Sequence, residues 1–524
     1  MFRVPQRENK LLVAIHGWSA TVLGLLLYAV VFTGTVAVLA LEIGYWSVST
    51  SDTKNPFAYK INATVQSLAK KVGRAYREDV SLSKDTAGNL SIFFHKTVRK
   101  SNGRNRSRGV LYKVNAETGE VISRQEGFGV DLARNDRDRM LRRFIVDSHV
   151  RLYMPRPWGL LVTGILGMVM MIAALTGLIM HRHLIRDAFT LRTHRSAILD
   201  ARDRHTVAAS WGLPYAFLLA LTGCFFSFAI SFGIPALAWV SFGGNIEQMG
   251  RTIAGTQLQR PGKRIQSSDI DAIIADATHR AGVLPRSVNI EYFGRKNAKV
   301  STRHLARFGE LEGKTYRYKG LDGTFEKRLP AVGQVPSIGG TIVSIIGPLH
   351  FGSFAGYLSK IIWVALGFAS CYMIVTGMNL WVQRRAEESR AWRFFGRYID
   401  ICTIGLPLAL VGSAYAFFLY RHSDAVVSAT PLGFVVVALP LLALGLFVPR
   451  RQLATGLWMA LSLSLLALPI ARYLSGGFGW LEALSQGAIT VVAIDLVLIL
   501  SALACAWTVR KSPVVGHSLT AKTA

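Results

Sequence analysis

The sequence predicts a mainly α membrane protein with about eight transmembrane helices, in which two small α+β domains outside the bilayer are inserted between the spans of a repeated four-helix bundle. Three observations predict it. Apolar runs of about 20 residues, the length that crosses a bilayer, occur at 17–42, 158–181, 207–240, 354–382, 398–420, 430–448, 453–474 and 486–509. Two long polar segments, 47–150 and 245–350, interrupt the first four runs. Four histidines stand at the entrances to those runs in matched register: His16 precedes Thr33-Gly34 by 17 positions and His205 precedes Thr222-Gly223 by 17, whereas His149 precedes Thr176-Gly177 by 27 and His350 precedes Thr376-Gly377 by 26. One span-domain-span unit is thus written twice.

Taken in order, the chain divides into an N-terminal tail and first span (1–46), an outside domain (47–150), a second span (151–182), a cytoplasmic loop (183–205), a third span (206–242), a second outside domain (243–350), a fourth span (351–383), a C-terminal four-helix extension (384–510) and a cytoplasmic tail (511–524). At 524 residues, 51% of them apolar, the chain exceeds what one soluble domain holds. The opening MFRVPQRENK and the run behind it lack a convincing cleavage site, which predicts a retained anchor that keeps His16 in the mature protein. Short arginine-rich connections set the orientation, because Lys and Arg near span ends resist translocation. Arg182, Arg186, Arg192, Arg195, Arg202 and Arg204 fill one such loop, and Arg384, Arg385, Arg390, Arg393 and Arg397 another. Both termini are therefore expected in the cytoplasm and both polar segments outside.

Each outside segment reads as a helix followed by hairpins. FAYKINATVQSLAKKVG precedes the alternating LSIFFHKTV and GVLYKV, and SSDIDAIIADATHRAG precedes RSVNIEYF and KTYRYKGLDGTFEKRL, with Asp322-Gly323 as a hairpin turn. The net charge of +29 suits anionic ligands or lipid headgroups, and no nucleic-acid partner is expected. His95, His279 and His304 share no spacing and read as surface residues.

Cys224, Cys371, Cys402 and Cys505 lie in apolar runs without the C-x-x-C spacing of a zinc or iron–sulfur site, and read as buried small hydrophobes. The histidines differ in their register. Imidazole is a common haem ligand, and an ionisable group at a membrane span is a functional hypothesis by default. On the predicted topology His16 and His205 share the cytoplasmic edge and His149 and His350 the periplasmic edge, which suits two haems, one near each face. His181, at the end of the second span where the other repeat has Trp381, is a further candidate: an axial ligand, a third site or a contact to a haem propionate. The glycines around these positions allow close approach of helices or of a flat macrocycle. Trp18, Trp158, Trp211 and Trp381, at run ends, fit an aromatic belt. Glu42 and Asp495 are the main acidic residues in the spans, without an evident partner.

The strings HGWSATVLGLLLYAVVFTGTVAVL, LTGLIMHRHLIRDAFTLR, HTVAASWGLPYAFLLALTG and PLHFGSFAGYLSKIIWVALGFASCYMIVTGMNLWVQRR resemble the PepSY-associated transmembrane family over residues 8–390. Members similar to this chain include inner-membrane ferric-siderophore reductases with b-type haems between four helices and PepSY domains in the periplasm. The resemblance implies PepSY-like outside domains, two b-type haems (haem b) as cofactor, and His16, His149, His181, His205 and His350 as cofactor-binding positions, with the haem iron held through His16, His205, His149 and His350. It also implies an oxidoreductase acting on a ferric siderophore or another anionic iron complex in the bacterial inner membrane. A short insertion between Leu199-Asp200-Ala201 and His205, and the four spans beyond 398, depart from the pattern. No nucleotide-binding signature is present, so a quinol or a separate reductase is the expected donor. Two other classes stay open: a PepSY-based regulatory or binding protein, which needs no haem, and a transporter.

Overall fold

The computed structural model of the chain describes residues 5–51, 54–99, 105–180, 186, 188–190, 197–254, 262–264, 268–333, 335–385 and 389–511. His181 lies outside the described residues, as do His183, His194 and His517.

The first run is broken. Helix α1 (Gln6–Val22) and α2 (Gly24–Ala37) meet at a bend of 64°, and α3 (Ala40–Val48) follows. No proline causes the bend. Around the bend the ring of Trp381 lies where a side chain on Gly17 would have to stand, Met378 fills the space beside Gly24, and the Ser19 and Thr21 hydroxyls donate back to the Ile15 and Gly17 carbonyls, a bonding that bends helices. The first span, expected over 17–42, is therefore a bent pair of helices that together are long and apolar enough to count as one span. His16 sits on the segment before the break.

After α4 (Asn62–Lys71), strands β1 (Asp79–Lys84), β2 (Leu90–Arg99), β3 (Asn105–Val114) and β4 (Val121–Phe128) form an antiparallel meander. Helices α5 (Met140–Arg151), α6 (Trp158–Met180) and α7 (Ala197–Phe228) lead back through the bundle. Because α7 starts at Ala197, the tract before His205, read as an insertion in a loop, is helical. Helix α8 (Ile270–Ala281) then precedes β5 (Pro285–Glu291), β6 (Lys299–His304), β7 (Lys314–Lys319) and β8 (Phe325–Leu329).

The two polar segments are not separate bodies. Their strands form one sheet in the order β4-β3-β2-β1-β5-β6-β7-β8, joined where β1 and β5 pair antiparallel, Val80 opposite Ile290 and Leu82 opposite Val288. Helices α4 and α8 cover a shared core of Ile61, Val65, Leu68, Ile273, Ile274, Ala277 and the inward strand residues Ile92, Phe94, Val300 and Tyr318. Period-two alternation supplies that face, as expected of a sheet with one side packed. His304, expected at the surface, is only 1% exposed. Its Nδ1 lies 2.8 Å from the Val283 carbonyl and its Nε2 3.1 Å from the Thr302 hydroxyl.

Helix α9 (Ile338–Phe351) and α10 (Gly356–Gln383) complete the repeat. The extension then adds α11 (Arg390–Asp400) running through one π-turn into α12 (Leu406–Tyr420), followed by α13 (Val426–Phe447), α14 (Arg450–Leu474) and α15 (Ile489–Lys511). The protein is a multi-pass membrane protein: among the described residues seven helices are long and apolar enough to cross a membrane, or eight with the bent pair taken as one span.

The extension holds a buried ion pair of its own, and Trp46 and Ser49 of the first segment bond to it. Arg472 Nη2 donates to Asp495 Oδ2 at 2.8 Å with both side chains almost wholly buried, and Asp495 also accepts from the indoles of Trp46 at 2.7 Å and Trp480 at 2.9 Å. Arg472 donates further to Ser49. Asp495, read as partnerless, thus has three partners, and Glu42 is paired with Lys360.

Candidate functional site

Each of the four registered histidines sits on a Thr-Gly dipeptide of another helix. His16, on α1, reaches α6, where its Nδ1 lies 3.0 Å from the Ala173 carbonyl and 3.1 Å from the Thr176 hydroxyl, beside Gly177. His205, on α7, does the same on α10 with Met373 at 3.0 Å and Thr376 at 3.3 Å, beside Gly377. The Nδ1 of His149, on α5, meets the Val30 carbonyl of α2 at 2.9 Å beside Thr33-Gly34. That of His350, on α9, meets the Thr222 hydroxyl of α7 at 2.8 Å beside Gly223. Within each repeat the seating is reciprocal: the histidine of the odd span rests on the even span, and the histidine before the even span rests on the odd one.

The local chemistry of Thr-Gly explains the seat. Each threonine hydroxyl donates to the carbonyl four residues earlier in its own helix, at 2.6 Å for Thr33, 2.7 Å for Thr176 and Thr222 and 2.9 Å for Thr376. Such back-bonding commits the hydroxyl proton and bends the helix slightly, so the oxygen is left to accept from an imidazole N–H. The adjacent glycine removes the side chain that would meet the ring. A Cβ on Gly34 would stand 2.7 Å from His149 Cε1 and one on Gly377 3.0 Å from His205 Cε1, against 3.5 Å and 3.6 Å at Gly223 and Gly177. The sequence showed the Thr-Gly register, but not that it forms the histidines' seats; the near-equal spacing in both repeats was the available signal.

Seated in this way, the rings form two pairs. His16 and His205 have ring centres 6.2 Å apart at 72° to each other, and His149 and His350 have ring centres 6.2 Å apart at 25°. Phe226 and Phe351 wall the second pair, each with its ring centre 5.5 Å from that of His350. With Nδ1–H donating to the seat, the lone pair of each neutral ring is on Nε2, the tautomer that a metal requires. A metal–imidazole bond of about 2.0 Å, with roughly 1.1 Å from ring centre to nitrogen, puts two rings on one metal about 6.2 Å apart. Among the described residues no group of three or more His, Cys, Asp or Glu gathers as for a bare ion. A pair of imidazoles at this spacing, with no further side-chain ligand gathered among the described residues, fits a metal whose other ligands come from a macrocycle such as haem.

The family model described as PepSY-associated TM region matches residues 13–384. The chain belongs to the PepSY-associated TM region family. Both pairs and all four seats lie inside the matched segment, and the extension lies beyond it. This PepSY-associated TM protein is also similar to the uncharacterized protein PA4219 of Pseudomonas aeruginosa, 24% identical over 261 residues, which cover 47% of this chain and 64% of that relative. The match therefore spans about two thirds or less of either protein.

Proposed function

We propose that this PepSY-associated TM protein is an inner-membrane electron-transfer protein that holds two b-type haems and reduces a periplasmic substrate, ferric siderophore iron or a similar anionic iron complex. The observation that carries this reading is the pair of imidazole pairs, each at the ring spacing of two axial ligands and each ring seated through Nδ1. His16 and His205 would hold the iron near the cytoplasmic face, and His149 and His350 the iron near the periplasmic face, with both termini cytoplasmic. Haem iron, when bound, supplies one-electron exchange between Fe(III) and Fe(II).

The chain's residues set the conditions for that exchange. Each imidazole pair would hold one haem iron through two ring nitrogens, a ligation that would favour electron transfer over oxygen binding. The seats hold the rings before and after the charge changes, so little has to reorganise. Helix α7 links the two sites, since His205 belongs to one pair and Thr222 seats a ring of the other, 17 residues or about 25 Å along the axis. On the outside, Arg303, Lys319, Lys327 and Arg328 are exposed on the second half of the sheet and present positive charge to an anionic complex. Iron reduced there to Fe(II) is held less tightly by hard oxygen ligands and is released.

The test is an optical spectrum of the detergent-purified protein, oxidised and dithionite-reduced, with a pyridine-haemochrome count on the wild type, His205→Ala and His350→Ala. Two haems per chain are expected, with a different one lost in each variant. A colourless wild type whose variants remain folded would sink the reading and leave a PepSY-based binding role.

A further inference from the structure

Next to the His205 seat, away from the ring pair itself, lies a cavity of about 460 Å³ lined by Asp200, Arg204, Thr376, Asn379, Gln383 and Arg450. Three helices build it: the first turns of α7, the last turns of α10 and the start of α14 in the extension. Arg450 is fixed there by Asp400, at 2.6 and 3.0 Å, and by the Asn379 amide oxygen at 2.7 Å. The family match stops before α14, so the cavity is incomplete without the extension. Thr376 belongs to both structures, because its hydroxyl lies 3.3 Å from His205 Nδ1.

We propose that this cavity binds the hydroquinone headgroup of a membrane quinol and that electrons come into the protein there; the electron-input half of this inference rests on the haem reading above. Four features select that chemistry. The cavity lies at the ends of membrane-length helices, a depth that a lipid-soluble donor reaches from the bilayer. Its volume falls within the range of small-molecule sites, about 300–1,000 Å³, and suits one ring rather than a dinucleotide. Its charges are balanced: Arg204 Nε donates to Asp200 Oδ2 at 2.9 Å and Arg450 is matched by Asp400, so the lining favours a neutral headgroup over an anionic reductant. Thr376, Asn379, Gln383 and Asp200 offer polar groups to two ring hydroxyls, and Asp200 Oδ1 has no hydrogen-bond partner among the described residues.

The step balances as follows. Both O–H bonds of the hydroquinone break and both ring C–O bonds become C=O. One proton goes to Asp200 and one to water at the cavity mouth. Two electrons leave one at a time; on the haem reading His16 with His205 and His149 with His350 would hold two one-electron acceptors, which matches the output of one quinol.

The experiment uses the full chain in detergent. A short-tailed azidoquinone is photoactivated with and without decylubiquinol, the labelled peptides are mapped, and duroquinol reduction is followed in the haem bands by stopped flow. Label on the peptides around 197–204 and 376–383, removed by the competitor, is expected. Ala201→Trp, which fills the cavity from α7, is expected to lower labelling and slow duroquinol reduction by about tenfold or more, while dithionite still reduces the protein fully. Gln383→Leu, at the end of α10, gives the same direction without crowding should the tryptophan variant fail to fold. Absence of label from a wild type that carries two haems, or label that survives both substitutions, would overturn the inference and leave the haem reading intact. Competed label on a protein that holds no haem would overturn electron input for lack of an acceptor, and the haem reading with it.

Discussion

Gly34 and Gly177 occupy equivalent places in two seats, yet they are expected to tolerate a methyl group very differently. At Gly34 the added carbon meets His149 at 2.7 Å, whereas at Gly177 it meets His16 at 3.6 Å, an ordinary contact. Gly34→Ala is therefore expected to displace the His149 ring at a cost of about 1–3 kcal/mol, the usual range for overpacking. On the haem reading it lowers the haem-to-protein ratio toward one, while Gly177→Ala leaves both the ratio and the melting temperature close to wild type. Equal loss in both variants would show that the glycines serve general helix packing instead. The sheet offers a second residue-scale expectation. Burial pushes the Asp79 carboxyl up from the ordinary 3.8 to about 6, partly offset by the N–H of Tyr292, and pushes its cross-strand neighbour His95 down from 6.5 to about 4. The signs oppose. A raised carboxyl contributes stability that is complete below 3.8 and lost as pH rises through about 6; a lowered histidine contributes stability that is complete above 6.5 and lost as pH falls through about 4. Amide exchange protection of β1 and β2, corrected for intrinsic rates, is expected to change little between pH 4 and 6. In Asp79→Asn the histidine contribution stands alone and protection rises with pH, by up to roughly 100-fold for a shift of two units. A flat profile in that variant would refute the assignment.

At the level of elements, the extension is the part whose role was least legible in sequence. Its spans were readable from length and hydropathy, but Asp495 was not readable as paired, because Trp46 lies 449 positions away and Arg472 is on a different helix. Apolar periodicity reports which face a helix buries; it does not name the residue that faces a buried charge. The break after α1 was also not read from sequence: it carries no proline, and the back-bonding of Ser19 and Thr21 and the close approach of Trp381 and Met378 become visible only in the folded chain. Asp495→Asn tests the fastening. It leaves Arg472, 1% exposed, without its counter-charge, and removing one partner of a buried pair costs about 3–5 kcal/mol. Replacing both with Arg472→Met and Asp495→Leu removes the orphan charge but still strips the acceptor from two indole N–H groups, so the double variant is expected to recover part of that loss. Thermal unfolding in detergent distinguishes the cases; full recovery would mean that the tryptophan bonds contribute nothing.

The whole molecule is a duplicated unit whose halves are joined twice, in the bundle by the packing of α6 on α7 and of α2 on α10, which brings the imidazoles into pairs, and in the sheet by the β1–β5 seam. The duplication was legible because the histidine-to-threonine spacings nearly repeat, 17 and 17 for one pair and 27 and 26 for the other. The joins were not, because pairing of Val80 with Ile290 or of His149 with His350 is a property of the folded chain and leaves no local trace. Each half-sheet alone is a four-stranded meander with one helix, a small body with an unpaired edge at β1 or β5, and such an edge invites pairing. The seam satisfies both edges at once and puts Leu82 and Val288, both 0% exposed, into one core. If the core is shared in energy as it is in space, the two halves must open together. Val288→Asp, which buries a charge at the seam, is then expected to remove exchange protection from β2 and β3 as well as from β6 and β7 in the full-length protein. Loss confined to β5–β8 would mean that the halves are independent domains that merely touch. Since α5 and α9 lead from the two half-sheets into His149 and His350, a cooperative sheet also ties together the placement of both rings of that pair, and on the haem reading the same variant is expected to broaden or deplete a haem signal from His149 and His350 while one from His16 and His205 persists.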